Sequence, residues 1–289
     1  MRGFKTSEFQ LFEYLVSLTQ DELKSYVADV LKNKYSQIVI TKDYVCAVGD
    51  IPIALVAHLD TVFKKPVSNL YYDTRKNVCW SPEGLGADDR AGVYAIVDLI
   101  EKGYRPSVIF TTEEEVGGIG ASKLIKKYKT CPFDIKFIIE LDRQGSEDCV
   151  FYNCGNENFE KYINDFGFIT NYGTFSDISI IAPYWDIAAV NLSIGYYLEH
   201  SKTEHLKYGE LEETIDKVVN ILNNANEADY FKYMGKKENH INDFIWDPKE
   251  CLICKCKFNN ANKIKITGAD SFGKYTYYVC PDCYKAHFK

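Results

Sequence analysis

The chain has 289 residues and a formal net charge of −7, from 34 lysines and arginines against 41 aspartates and glutamates. An acidic balance argues against a general nucleic-acid binder, because contacts with phosphates need an excess of positive charge. With 46% hydrophobic and 26% charged residues, the composition is that of a globular protein and excludes a disordered or fibrous chain.

Two features of the sequence bear on its compartment. The apolar stretches, such as residues 51–57, are too short to span a bilayer, and residues 1–10 lack the apolar segment of a signal peptide. Five of the ten cysteines lie after residue 250, and this clustering favours a local metal site over a disulfide framework. We therefore expect a cytoplasmic protein that does not contact membranes.

The periodicity of apolar residues predicts the elements in chain order. Helical spacing indicates two helices within residues 7–33, with a helix start at Thr19. Short runs rich in β-branched residues then predict strands at 38–41, 44–48, 51–57, 107–112, 135–141 and 188–197. Helical patterns alternate with them at 91–102, 120–129, 158–166 and 206–224. This alternation predicts an α/β three-layer sandwich with a mostly parallel, mixed central sheet.

The periodicity ends near residue 225, and we infer a domain boundary from this change. Residues 1–233 are predicted to form the large domain, which lacks internal repeats, and the polar residues 234–247 to form a linker. Residues 248–289 contain two CxxC pairs around a basic, strand-like stretch and are predicted to form a small separate domain.

Potential metal ligands follow several of the predicted strands. His58 and Asp60 come directly after one strand, residues 113–115 (EEE) after the next, and Asp142 and His200 after two others. A further acidic pair, Asp88 and Asp89, opens a helix. The carboxyl ends of parallel strands meet at one edge of a sheet, so these side chains are predicted to converge there. Several carboxylates in one place need a compensating charge, most simply a bound metal.

Five segments carry a family resemblance. They are AHLDTV (57–62), GLGADDRAGV (84–93), TTEEEVGGIGA (111–121), IELDRQG (139–145) and EHSKTE (199–204). In order and spacing they resemble the site motifs of the co-catalytic di-zinc exopeptidases and deacylases. That clan includes peptidase T, carboxypeptidase G, acetylornithine deacetylase and bacterial aminopeptidases. The resemblance implies a zinc aminopeptidase fold and metal-dependent hydrolysis of peptide or amide bonds.

Matching these motifs residue by residue implies a role for each polar group. His58 and Asp142 correspond to ligands of one zinc, Glu115 and His200 to ligands of the second, and Asp88 to the carboxylate that bridges them. The resemblance implies further that Glu114 is the general base and that Asp60 is the acid beside the metal-bound histidine.

The residue types agree with these roles. On an extended strand His58 and Asp60 share a face, where a carboxylate orients the imidazole in many zinc sites. Two imidazoles and three carboxylates suit Zn²⁺ and also accommodate Mn²⁺ or Co²⁺. In the mechanism expected for such a site, a metal-activated water attacks the carbonyl while Glu114 moves the proton.

The chain departs from larger members of that clan in one respect. Only 58 positions separate Asp142 from His200 (200 − 142). This segment is too short to contain the lid or dimerisation domain that larger members insert there. We expect a monomer with a compact aminopeptidase architecture. Candidates for stabilising the oxyanion are Tyr196, Tyr197, Arg143 and backbone amides, while Ser176 and Asp177 are interpreted as a structural cap or pocket wall.

The C-terminal cysteines predict a second kind of metal site. One CxxC motif is formed by Cys251 and Cys254 and a second by Cys280 and Cys283. The 25 residues between the motifs (280 − 254 − 1) are predicted to form a hairpin. Four thiolates form the closed shell of a structural Zn²⁺, and the second pair opens a short helix, as in a treble-clef finger. The lysines and tyrosines between them could contact nucleic acid or a protein, or the finger could be a structural cap.

Three functions are therefore considered. The leading one is a di-zinc aminopeptidase-like exopeptidase acting on peptides. The second is an N-acyl amino acid deacylase, because both reactions direct activated water at an amide carbonyl. The third is a catalytically silent binding protein that acts through the zinc finger, although an intact ligand set argues against it.

Overall fold

The computed structural model describes residues 4–235, 264–270 and 273–287. The chain divides into two compact units, Met1–Lys236 and Lys237–Lys289. Most of the predicted linker, residues 236–247, lies outside the described residues. No helix within the described part of the chain is long and apolar enough to cross a membrane.

The first unit begins with helices α1 (Thr6–Val16) and α2 (Gln20–Lys34), which confirms the predicted helix pair. The hydroxyl of Thr19 accepts a hydrogen bond from the Glu22 backbone N–H, while the Glu22 carboxylate accepts one from the Thr19 N–H at 2.9 Å. This reciprocal capping box satisfies two backbone donors that a helix start leaves open. The predicted helix start at Thr19 is therefore confirmed.

The remaining elements of the first unit follow in chain order. The strands before the third helix are β1 (Ile38–Ile40), β2 (Tyr44–Ala47), β3 (Ile51–His58), β4 (Tyr71–Asp73) and β5 (Val78–Trp80). After them come α3 (Ala87–Glu101), β6 (Pro106–Thr111), α4 (Ile119–Lys127), β7 (Phe137–Arg143), β8 (Asp148–Val150), α5 (Glu157–Asn164), β9 (Ile169–Thr170) and α6 (Asp177–Trp185). The unit ends with β10 (Ala189–Ser193), β11 (Tyr196–Tyr197), β12 (His205–Lys207) and α7 (Tyr208–Asn223).

Eight of these strands form the central sheet, in the order β1-β2-β6-β3-β7-β10-β8-β9. The four middle strands, β6, β3, β7 and β10, run parallel, whereas β2 and β8 pair antiparallel with them. Every residue of β6 is buried, as expected for a strand covered on both faces. The predicted mixed sheet with a parallel centre is confirmed.

Helices cover this sheet to form a three-layer α/β sandwich. The long helix α3 packs on β3 and β7 and contacts α1, α2 and α7, while α4 and α6 pack together against β2, β7 and β10. Large apolar side chains such as Leu55, Phe110 and Phe137 are fully buried between the layers. At about 25 cal/mol per Å² of apolar surface, their burial is the main stabilising contribution to this arrangement.

Most predicted elements differ from the observed ones by a few residues at their ends, and two differ in a way that has a local cause. The strand predicted over 188–197 is two strands, because Gly195 adopts a left-handed φ of 89° and redirects the chain from β10 into β11. The helix predicted from Leu206 begins at Tyr208, since Leu206 belongs to β12. The sequence analysis also missed α6 and a second sheet, ordered β11-β12-β5-β4.

The second unit contains an antiparallel hairpin and a short helix. Strands β13 (Ile264–Asp270) and β14 (Gly273–Val279) pair with Ile264 opposite Val279, and α8 (Pro281–His287) follows. The hairpin predicted between the two CxxC pairs is confirmed. The predicted ligands Cys251 and Cys254 lie outside the described residues, as does the side chain of Cys283, and Cys280 is half-buried at the start of α8.

Candidate metal centre

The carboxyl edge of the parallel strands brings the predicted ligands together. His58 is the last residue of β3, Asp142 lies near the end of β7, and the turn after β6 carries Glu114 and Glu115. Asp88 lies at the start of α3, where its backbone is not yet helical (φ −80°, ψ 99°). The convergence that the strand pattern predicts is present in the structure.

Five of these side chains form two groups that share one carboxylate. The first group contains His58, Asp88 and Asp142, with the His58 Nε2 3.0 Å from Asp88 Oδ1 and 3.5 Å from Asp142 Oδ1. In the second, the His200 Nε2 lies 3.1 Å from Asp88 Oδ2 and 2.9 Å from Glu115 Oε2. The two oxygens of Asp88 therefore face the two histidines separately. Each group could hold one metal ion.

Asp60 connects the ends of two strands beside this centre. Its Oδ1 lies 3.3 Å from the Nδ1 of His58 and accepts a hydrogen bond from the Glu114 N–H at 3.0 Å. Its Oδ2 accepts one from the Glu115 N–H at 3.1 Å. Asp60 thus faces the imidazole nitrogen away from the ligand group and also holds the turn that carries both glutamates. A carboxylate in this position fixes the ring and its tautomer.

The loop that carries Asp88 is held by a residue to which the sequence analysis gave no role. Glu204 is fully buried, and its two oxygens accept hydrogen bonds from the backbone N–H groups of Gly86 and Asp88, at 2.6 and 3.0 Å. Glu204 lies within the EHSKTE segment, so its proximity to His200 in the sequence was the available signal. Asp89 instead accepts hydrogen bonds from the backbone N–H groups of His58 and Gly92.

His200 reaches the centre from a different part of the fold than expected. The sequence analysis placed it at the end of a central strand. In the structure it lies on the loop that follows β11, and β11 is a strand of the second sheet. His200 and Leu198 both adopt left-handed φ values, of 61° and 56°. The imidazole side chain is 53% exposed, whereas that of His58 is fully buried. One group of candidate ligands therefore has its histidine in the core, and the other has its histidine on an exposed loop.

Glu114 lies in the same cavity as both ligand groups. The cavity has a volume of about 530 Å³, and Asp88, Glu115, Asp142 and His200 also line it. Burial and the neighbouring Asp142 carboxylate raise the pKa of Glu114 to about 10, against the lowering effect of His58. Glu113, the preceding acid, is absent from the described lining of this cavity.

The electrostatics of the centre show that it lacks compensating positive charge. Burial, followed by repulsion from Asp88, raises the pKa of Glu115 and that of Asp142 to about 7. Burial acts in the same direction on Asp88, but hydrogen bonds to His200 and His58 outweigh it and hold the Asp88 pKa below its usual range. The hydrogen bond to Asp88 raises the pKa of His200 to about 9. Bound cations would relieve this crowding of carboxylates.

The three side chains considered for oxyanion stabilisation lie in different places. Tyr196 is buried, lines the cavity and donates a hydrogen bond to Asp142 Oδ1 at 3.1 Å. Tyr197 does not belong to the described lining and donates instead to Glu210. Arg143 lines the cavity and lies 3.3 Å from Asp148. The position of Tyr197 removes it as a candidate.

Ser176 and Asp177, which the sequence analysis interpreted as a structural cap or pocket wall, make contacts that join elements of the fold. Ser176 is the N-cap residue of α6 and hydrogen bonds to Glu140, while Asp177 accepts a hydrogen bond from the Thr111 hydroxyl. Glu140 and Asp177 are fully buried. These contacts join α6 to β6 and β7 beneath the cavity, whereas the preceding Phe175 lines the cavity itself.

The cysteines of the first unit are structural as well. Cys46, Cys79, Cys149 and Cys154 are buried and Cys131 is half-buried. Burial raises the pKa of the Cys46 thiol to about 12, which keeps it protonated and unreactive. No cysteine is among the described residues that line the cavity.

Comparisons with known proteins identify the fold. No family model matches the sequence, and a search of curated proteins finds no match. Among solved structures, an aminopeptidase PepT from Bacillus cereus is similar with a TM-score of 0.57 and 15% identity, covering 76% of this chain and 98% of that chain. A tripeptidase from Staphylococcus aureus gives a TM-score of 0.59 at 16% identity, with the same coverage of 76% and 98%.

An archaeal protein gives the same result. A TET aminopeptidase from a marine-sediment Thaumarchaeota archaeon has a TM-score of 0.59 at 13% identity, covering 75% of this chain and 97% of that chain. At these identities the likeness shows the fold alone. The first unit has the α/β fold of these aminopeptidases, as the sequence analysis predicted.

Proposed function

We propose that the first unit is a metal-dependent peptidase that acts as an aminopeptidase. The observation that carries the proposal is the sharing of Asp88 between two histidine and carboxylate groups within one cavity. A single metal or an unrelated acidic pocket would not need a carboxylate whose two oxygens face separate histidines. The fold similarity to aminopeptidases and a tripeptidase supports the same conclusion.

The donor set fits a pair of zinc ions. Imidazole nitrogens and carboxylate oxygens are common Zn²⁺ ligands, and Mn²⁺ and Co²⁺ accept them too. Around a tetrahedral ion with bonds of about 2.0–2.2 Å, neighbouring ligand atoms lie roughly 3.3–3.6 Å apart. The histidine to carboxylate distances in the two groups, 2.9 to 3.5 Å, are close to this spacing. Little rearrangement is therefore needed to bind the ions.

The residues of the chain divide the chemistry between them. Bound at this centre, divalent metal supplies a Lewis acid and lowers the pKa of a coordinated water. Glu114 takes a proton from the attacking water and returns it to the departing amine. Its pKa of about 10 without metal would fall towards neutrality beside bound cations, which is the range that suits a general base. Asp60 keeps His58 oriented and fixes the turn that carries Glu114.

The test compares Glu114→Gln with the matched variant Glu113→Gln. Both change an acid to its amide on the same turn, but only Glu114 belongs to the described lining of the cavity. With leucyl-alanine and zinc-loaded protein, we expect Glu114→Gln to lower kcat by about 10²- to 10⁴-fold, and Glu113→Gln to change it less than threefold. Full activity in Glu114→Gln would exclude it as the base. If metal-loaded wild type hydrolyses neither leucyl-alanine nor N-acetyl-leucine, a binding protein would be favoured.

We propose in addition that Cys251, Cys254, Cys280 and Cys283 hold a structural zinc ion in the second unit. The half-buried position of Cys280 next to α8, after the confirmed hairpin, supports this proposal. Elemental analysis of the full chain should give three zinc ions, two at the candidate metal centre and one here. The double variant Cys280→Ser/Cys283→Ser should bind two, and an unchanged count would exclude these ligands.

A further inference from the structure

Arg143 is the side chain of fixed positive charge among the described residues that line the cavity. The described residues that line it include five acidic side chains, namely Asp88, Glu114, Glu115, Asp142 and Glu199, and a single lysine or arginine, Arg143. Arg143 is the last residue of β7 and directly follows the candidate ligand Asp142. A guanidinium carries a fixed positive charge, so an anionic group of a ligand in this cavity would bind at Arg143.

Most N–H donors of the guanidinium make no hydrogen bond to the described residues. It donates one hydrogen bond, from Nη2 to Asp148 Oδ2 at 3.3 Å, although arginine has five N–H donors. Its Nε is buried and has no hydrogen-bond partner within the described part of the chain. A buried donor without a partner costs about 1–3 kcal/mol and calls for an explanation. The enclosed Nε is out of reach of a ligand, so an anion in the cavity would bind the Nη groups, of which one described hydrogen bond uses only Nη2.

The arginine is also held in place. Asp148 Oδ2, its partner, accepts a second hydrogen bond from the Asn171 side chain at 2.7 Å. The following residue, Tyr172, is 77% exposed and lines the same cavity. Arg143 is therefore held by a carboxylate that is itself held, and it lines the cavity. This arrangement pre-organises a planar donor group for bidentate recognition of a carboxylate.

We propose that Arg143 binds the free α-carboxylate of the substrate, which limits efficient substrates to short molecules such as dipeptides. The inference rests on the proposed function and deepens it. A volume of about 530 Å³ lies within the range of cavities that enclose small ligands. Since Arg143 and the metal ligands line this one cavity, the carboxylate and the cleaved bond belong to the same small molecule. A long peptide would place its carboxylate outside the cavity.

The experiment compares leucyl-alanine with leucyl-alanine amide on the zinc-loaded full chain. A charge-assisted hydrogen bond corresponds to about a 10- to 100-fold effect, so the wild type should hydrolyse the free acid that much more efficiently by kcat/KM. In Arg143→Gln this ratio should fall towards one, mainly through KM, and Arg143→Lys should restore part of it. Arg75→Gln, an exposed arginine outside the described lining, should keep the wild-type ratio.

A second variant separates binding from structural support. Asp148→Asn removes the ion pair but leaves the guanidinium, so the preference for the free acid should persist, although it should be smaller because Arg143 is held less firmly. If Arg143 served only to anchor Asp148 and Asn171, both variants would lose activity equally on acid and amide. Equal hydrolysis of acid and amide by the wild type, or an unchanged ratio in Arg143→Gln, would overturn the proposal.

Two further arms distinguish this inference from the proposed function. N-acetyl-leucine offers a carboxylate without a free amine; if it alone is cleaved, the enzyme is a deacylase and the Arg143 inference is tested on N-acetyl-leucine against its amide. If neither class is cleaved, titration calorimetry of leucyl-alanine and its amide decides instead. Tighter binding of the acid that disappears in Arg143→Gln would support the inference even if the peptidase proposal fails.

Discussion

Glu204 provides a direct test of how the loop of Asp88 is held. Its buried carboxylate accepts hydrogen bonds from the N–H groups of Gly86 and Asp88. Glu204→Ala leaves two buried donors without a partner, at about 1–3 kcal/mol each, so we expect a loss of about 2–6 kcal/mol in the free energy of unfolding. Glu204→Gln keeps one acceptor oxygen, and we expect about half of that loss.

The assay is urea unfolding of metal-free protein, followed by tryptophan fluorescence, so that metal binding does not contribute. The control is Glu101→Gln, because Glu101 makes an exposed ion pair with Lys34 at 2.9 Å that should be worth less than about 1 kcal/mol. Zinc affinity is measured in parallel, and Glu204→Gln should weaken it because Asp88 loses part of its support. If Glu204→Ala is as stable as Glu101→Gln, the proposed support is wrong.

Three further outcomes follow from the structure. Thr19→Ala removes the capping box and should lower the free energy of unfolding by about 1 kcal/mol in the same urea assay. Gly92→Ala would place a Cβ 2.2 Å from the Leu141 carbonyl oxygen, so it should reduce zinc content and soluble yield, whereas normal values for both would contradict that packing. Burial first, and then repulsion from Asp88, raises the pKa of Glu115 and Asp142 to about 7, well above their unfolded values. The metal-free protein should thus lose stability as the pH rises from about 4.5 to 8, and zinc should remove that loss; a flat urea midpoint across this range would refute the reasoning.

The central sheet could be predicted from the sequence because its strands are long enough to show a pattern. β3 and β6 are runs of apolar and β-branched residues, and the ligand His58 ends one of them. The second sheet escaped prediction because β4 and β5 have three residues each. Over so short a length, alternation cannot be told from a turn. Helix α6 was missed because its apolar run contains Pro183, which a helix interior disfavours.

The convergence of the candidate ligands could be predicted for a related reason. His58 and Asp142 are placed by strands whose ends must coincide in a parallel sheet, and the motif order supplied the others. Glu204 could not be predicted, since its hydrogen bonds to Gly86 and Asp88 join residues 118 and 116 positions apart. Sequence spacing carries no information about such contacts. Arg143 was named from the sequence as an oxyanion candidate, but its ion pair with Asp148 was not predicted, because Asp148 belongs to a strand that the sequence analysis did not identify.

The loop after β11 contains both the candidate ligand His200 and the supporting residue Glu204. His200 lies beside one carboxylate oxygen of Asp88. Four residues later, the buried Glu204 accepts a hydrogen bond from the backbone N–H of the same aspartate. A shift of this loop would therefore move one candidate ligand of the second group and the shared carboxylate together. The first group depends on Asp88 as well, although His58 and Asp142 lie in the rigid sheet. Occupancy of the two sites should consequently be coupled through Asp88, with the loop of the second sheet setting the strength of that coupling.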